Sequence, residues 1–247
     1  MDHPDDPREN RLLAALAETD RLRWMQHLER VELRPGQVLC AAGQPQRHAY
    51  FPTSGVAALL HMTEEGMSTA FAVVGNDGLV GTSIFLQADT EASIGSVLVA
   101  GQGFRIAATT LQEEFDQCDP VRNVLLRYTQ ALVTQVAHTA VCYRNHTVDQ
   151  QVCGWLLYLL HLLQGNSVVM TQELLAGMLG VRRESVTLIA GRLRAAGLIR
   201  YTRGDIEILD RIGLEHRACE CHATVIQEYD RLLADSAHTA GSQADPA

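Results

Sequence analysis

Residues 172–191, QELLAGMLGVRRESVTLIAG, constrain the fold more than any other part of the chain. Thr171 stands just before them as a helix N-cap, and Glu173 in the first turn suits the helix dipole. Leu175 and Leu179, then Val181, Val186 and Ile189, are apolar at helical steps. Small Ala176 sits where a second helix would cross the first, and Gly180 sits at the turn, where a positive φ is wanted. An ordinary helical hairpin with an accidental glycine would not need so many positions to agree. Residues 198–210 then alternate, turn at Arg203, Gly204 and Asp205, and alternate again, which predicts a β-hairpin. Two crossed helices followed directly by a hairpin make a winged helix.

The charge supports this reading. All 20 basic residues of the 247 are Arg, so chemistry that needs a lysine, such as Walker-A phosphate binding or a Schiff base, is excluded. The net charge is −9, which argues against a chain that coats nucleic acid everywhere. Yet residues 182–203 hold six arginines and only one carboxylate, leaving the remainder at −14. Such separation fits one DNA-facing surface on an acidic body.

The rest of the chain divides by texture. Residues 1–10 and 235–247 are small and polar and predict disordered tails. Leu12, Leu13, Leu16, Leu22, Trp24, Met25 and Leu28 predict one or two short helices. From residue 31 to about 110, short apolar runs at 56–60, 69–74, 96–100 and 104–108 alternate with Gly and Pro, the pattern of a β-barrel or sandwich. Residues 121–146 lack Gly and Pro, and Val124, Leu125, Tyr128, Leu132, Val136 and Thr139 recur at three- and four-residue steps. That predicts one long amphipathic helix. Its stripe packs either on its own barrel or on a second copy, and the two-fold dimer is the expectation. A further helix, 148–164, precedes the winged helix. The fold class is therefore α+β. The units are a sensor domain over 11–120, a dimerisation helix over 121–147, a winged helix over 148–218 and a C-terminal helix over 219–234. With no secretory signal and no apolar run long enough to span a bilayer, the chain is expected to be soluble and cytoplasmic, with six reduced thiols and no membrane partner.

With these features in place, the chain resembles the Crp/Fnr family of transcriptional regulators. The resemblance covers residues 12–215. It rests on GVRRESV from Gly180, LRPGQ from Leu33, EEG from Glu64 and GLVG from Gly78. It implies a cyclic-nucleotide-binding-like β-roll and a homodimer on double-stranded DNA with an inverted-repeat operator. RNA polymerase is an expected further partner. By position, Arg183 and Glu184 match the family's base-reading pair. Thr187 and Leu188 also face the bases, and Leu188 stands where the cyclic-AMP branch has an Arg. Arg182, Ser185, Arg192 and wing-tip Arg203 are expected on phosphates.

The chain also departs from the family pattern. Gly81 is followed by Thr82 rather than a ribose-binding Glu, and residues 91–97 contain no Arg for a cyclic phosphate. No cofactor is therefore expected, and tight cyclic-nucleotide binding is not expected, because a buried anion would lack a counter-charge. The signal, a small molecule or a redox change, is unidentified. Any effector pocket should lie near Thr82, Ser93, His138 and Thr139. No cysteine precedes Cys40, so an N-terminal iron–sulfur ligand set is absent. His48, His61 and His138 have no ligand spacing. Cys219 and Cys221, flanked by His216 and His222, could bind a soft metal or form a redox pair. A Cys-x-Cys pair shares a helix face poorly, however, and ordinary packing is the expectation. The competing readings are a cupin-like metal enzyme, which would need a His-x-His pair that the sequence lacks, and a receptor or adaptor that has lost DNA binding.

Overall fold

The computed structural model describes residues 6–66, 68–88, 90–202 and 204–234. After a 3-10 turn at Pro7–Glu9 come α1 (Arg11–Ala14) and α2 (Glu18–Met25). Residues 6–10 are thus ordered, contrary to the expected tail. Asn10 explains why: it is fully buried, its Nδ2 donates to the Pro52 and Gly78 carbonyls at 2.8 Å, and its Oδ1 accepts from the Leu12 and Leu13 amides. Every polar atom of that side chain therefore has a partner, which offsets the cost of burying it. The remaining tail residues, 1–5 and 235–247, lie outside the described residues.

Seven strands form the roll: β1 (Glu29–Leu33), β2 (Val38–Cys40), β3 (His48–Pro52), β4 (Val56–Met62), β5 (Ser68–Val74), β6 (Ile94–Val99) and β7 (Gly101–Ala107). They lie in two antiparallel sheets, ordered β1-β7-β3 and β2-β6-β4-β5. Inward-facing Phe51, Ala57, Val73 and Ile106 have no exposed surface. Helix α3 (Ala108–Gln117) leads to α4 (Asp119–Asn145), 27 residues or ~40 Å long.

The stripe predicted on α4 turns inward. Val124, Leu125, Tyr128 and Leu132 are buried within the chain. Tyr128 lies over Gly78, where a Cβ would overlap its ring, and its hydroxyl donates to the Leu79 carbonyl at 2.7 Å. This stripe therefore serves the chain's own barrel. A different line on α4, Leu126, Val133 and Val141, is left 44%, 55% and 50% exposed.

Helix α5 (Val148–Leu163) opens with a capping box. The Gln150 amide donates to Thr147 Oγ1, and the Thr147 amide donates to Gln150 Oε1. Its apolar surface runs all the way round, and residues 151–160 are all buried, as expected for a helix at the centre of a molecule. It is followed by β8 (Ser167–Val169), α6 (Gln172–Leu179), α7 (Arg183–Ala195), β9 (Ile199–Thr202), β10 (Asp205–Ile208), α8 (Arg211–Glu215) and α9 (Cys221–Ala234). The third sheet is ordered β8-β10-β9. Strand β8 has no counterpart in the sequence reading, which passes from the helix over 148–164 straight to the winged helix. A single hydrophobic cluster runs from Phe51 and Leu79 in the roll through Tyr128 and Leu156 to Ile189 and Leu193 in α7.

Candidate nucleic-acid interface

Helices α6 and α7 are built as the residues dictate. Thr171 Oγ1 accepts from the Leu174 amide at 3.1 Å, capping α6. Gly180 ends it with φ +63°, the left-handed conformation that reverses the chain between the helices. Ala176 is buried at the crossing. Helix α7 turns Val186, Ile189 and Leu193 into the core. That leaves Arg182, Arg183, Glu184, Thr187 and Leu188 exposed, with Ser185 half-buried and Arg192 exposed one turn further on. Arg182 is the residue before the first helical turn, and no side chain caps the free amides there. The helix thus presents its positive end beside two guanidinium groups.

The exposed side chains are tied to α6. Arg183 Nε lies 3.7 Å from Glu173 Oε2, and the Thr187 hydroxyl donates to Gln172 Oε1 at 2.7 Å. In the wing, Arg200 pairs across the strands with Glu207 at 2.6 Å. Arg203 lies outside the described residues.

The two units meet at Tyr143. Its hydroxyl is 2.8 Å from the Ala70 carbonyl of β5 and 3.1 Å from the Met178 carbonyl of α6. Sequence reasoning missed this residue, because its partners are distant in the chain.

Above β5 a cavity of about 560 Å³ opens between the roll and α4. Of the four residues expected at an effector pocket, Thr82, Ser93 and Thr139 line it. His138 does not. His138 lines a separate, smaller cavity that shares Thr139 and Tyr143 with this one. The large cavity has an apolar floor that includes Leu59, Phe71 and Leu132. It holds the Glu91 carboxyl, which accepts from Ser83 Oγ at 2.6 Å, and no arginine among the described residues lines it. Burial pushes the Cys40 thiol on its wall up to about 12, and Glu91 adds to the effect.

Comparison with known families matches residues 30–117 to a cyclic nucleotide-binding domain and residues 150–217 to a Crp-like helix-turn-helix domain. The chain belongs to the Crp/Fnr family. No curated protein sequence matches it. Several solved Crp/Fnr-type structures share its fold. FixK2 from Bradyrhizobium japonicum superposes with a TM-score of 0.67 at 13% identity, over 78% of this chain and 98% of that one. A CRP-family transcriptional regulator from Thermus thermophilus gives 0.65 at 17% identity, over 77% and 96%. The c-di-GMP-responsive global regulator CLP of Xanthomonas campestris gives 0.64 at 16%, over 78% and 99%. The Crp/Fnr architecture accounts for the order of roll, long helix and winged helix, and makes α6 and α7 the DNA-binding motif. The neighbours are regulators of transcription rather than enzymes. No helix among the described residues is long and apolar enough to cross a membrane.

Proposed function

We propose that this Crp/Fnr protein is a homodimeric, sequence-specific transcription factor that reads an inverted-repeat operator with α7, under the control of a signal received between the roll and α4. The observation that carries this reading is the division of α7. Val186, Ile189 and Leu193 anchor it, while its N-terminal turn stands clear with Arg182, Arg183 and Glu184. Arg183 can pair with O6 and N7 of a guanine, and Glu184 can accept from a cytosine amino group. Thr187 and Leu188 meet neighbouring base edges. Arg182, Ser185, Arg192 and wing-tip Arg203 are suited to phosphates, which position the helix without specifying sequence.

The dimer reading draws on the second line of α4. Leu126, Val133 and Val141 are seven and eight residues apart and exposed, the spacing of one face of a two-stranded coil. The effector reading draws on the cavity. With a carboxylate on its walls and, among the described residues, no guanidinium, it offers a cyclic phosphate only the His61 imidazole as a cationic partner. An uncharged or cationic ligand suits it better.

Selection of bound DNA from a random pool tests the proposal. A symmetric motif with half-sites about one helical turn apart is expected. An unenriched pool or an asymmetric motif would overturn it. Low-micromolar binding of cyclic AMP or cyclic GMP by calorimetry would overturn the effector reading alone.

A further inference from the structure

The fold gathers four ligating side chains from two distant segments. Cys142 lies in the last turn of α4 and His146 is the extended residue just beyond it, while Cys219 and Cys221 bracket the start of α9. Their ligating atoms all lie within 4.8 Å of one another. The three cysteines are 5–7% exposed and form a small cluster of their own. The objection that a Cys-x-Cys pair cannot share a helix face does not apply. Cys219 precedes the helix that begins at Cys221, so the chain folds both thiols to one side. The companion pair that the sequence reading did not find is supplied by α4.

We propose that Cys142, His146, Cys219 and Cys221 form a tetrahedral site for a thiophilic divalent cation of the zinc class, which fastens the end of α4 to the start of α9. Three sulfurs and one imidazole are the donor set of closed zinc sites. Sulfurs bound at ~2.3 Å around a tetrahedral ion stand ~3.8 Å apart. Cys142 Sγ and Cys219 Sγ are 3.5 Å apart, close to that spacing and far beyond a disulfide bond.

The surroundings also fit. His146 turns Nδ1 toward the cluster, 3.6 Å from Cys221 Sγ, while Nε2 faces Glu220 Oε1 at 3.7 Å. A ligating histidine backed by a carboxylate is the usual outer arrangement of a metal site. Gln151 of α5 donates to the Cys142 and His146 carbonyls, holding the end of α4 in place. Cys219 and Cys221 also sit at the positive end of α9, where negative sulfur is favoured. The Cys142 and Cys219 thiols are within hydrogen-bonding reach, and either can donate to the other. A cation entering the site displaces the remaining thiol protons to solvent. A small cavity of about 50 Å³ borders the thiols on the side of Trp155 and His138.

This site stands independently of the reading of α7, but it lies where the sensor helix hands over to the DNA-binding unit. Occupancy would fix the angle between α4 and α9.

The test is reconstitution of the reduced full-length chain with cobalt(II), followed by zinc competition and metal analysis. One ion per chain is expected, with the strong visible bands of a tetrahedral site and thiolate charge-transfer in the near ultraviolet. Cys142→Ser and Cys221→Ser should abolish the charge-transfer intensity or shift it. Cys40→Ser and Cys153→Ser, outside the cluster, should leave it unchanged. Should the ligand variants fold poorly, Glu220→Gln keeps all four ligands and should weaken zinc ~10–100-fold. Zinc should also raise the melting midpoint of the wild type but not of Cys142→Ser. Octahedral cobalt spectra, no retained ion, equal zinc affinity in Glu220→Gln, or a Cys142–Cys219 disulfide in the mass spectrum under reducing handling would each overturn the proposal. A loss of DNA binding with metal binding intact would count against the α7 reading and leave this site standing.

Discussion

The Tyr143 hydroxyl stands 3.1 Å from the Met178 carbonyl while also reaching the Ala70 carbonyl at 2.8 Å, so one phenol bridges the long helix, the β-roll and the DNA-binding motif. The two carbonyls share its single proton, so removing it leaves one of them short of a donor. Tyr143→Phe should therefore lower stability by ~1–3 kcal/mol in urea unfolding. It should also speed hydrogen exchange in α6 and β5 together. An unchanged midpoint would mean that water replaces the phenol at no cost.

Gly180 meets the roll more directly. Its φ is +63°, and a Cβ there would lie 2.7 Å from Thr69 Oγ1. Gly180→Ala combines left-handed strain of ~1–2 kcal/mol with that overlap. Thr69→Ala in the same background should recover the overlap but not the strain. Purely additive effects of the two substitutions would show that the contact carries no energy.

Asp77 is a buried carboxyl whose Oδ1 accepts from the Gly75 amide at 3.3 Å and whose Oδ2 accepts from the Tyr158 hydroxyl at 3.3 Å. Burial pushes it up to about 6 from 3.8. The fold thus favours the protonated form. That contribution is complete below about 3.8 and is lost as pH rises through about 6. Asp77→Asn should then stabilise the protein at pH 8, by ~3 kcal/mol at most, and by almost nothing at pH 4. A gain that did not change with pH would contradict this assignment.

Val133→Glu places a charge in the exposed line of α4. It should yield a folded monomer in sedimentation and weaken operator binding more than tenfold, because half of each symmetric site is lost. A stable dimer would move the interface elsewhere.

Arg183→Ala should cost ~1–3 kcal/mol in operator affinity and relax the preference at one base pair per half-site. Arg192→Ala, on a phosphate, should weaken all sequences alike and reduce the salt slope by about one. Unchanged selection by Arg183→Ala would remove α7 as the reading helix.

The legible parts of the sequence were those with local causes. The cap at Thr171, the left-handed Gly180 and the buried phase of Val186 and Ile189 are decided within a few residues of each other, so the motif could be read directly. The resemblance places Thr82, Ser93 and Thr139 at the cavity, whereas His138 lines only the smaller neighbouring one, a difference of side-chain packing that no spacing shows. The inward stripe of α4 was visible, but its partner was not, since barrel and second copy ask for the same periodicity. Strand β8 is three residues long and exists only because Ile206 and its neighbours in β10 pair with it. The link from Cys142 and His146 to Cys219 and Cys221 spans more than seventy residues, and no spacing rule connects an i, i+4 pair at the end of one helix to a turn that far away.

The apolar cluster that passes without interruption from Phe51 to Leu193 has a practical meaning for anyone wishing to cut this molecule in two. A fragment beginning at Val148 would carry α5 with its greasy circumference laid bare, and the severed sensor would lose the lid over Leu79 and Tyr128. Neither piece should be obtainable as a well-behaved soluble fragment. A signal of the kind proposed for the roll would therefore meet packed side chains on its way to the reading head, and not a free tether.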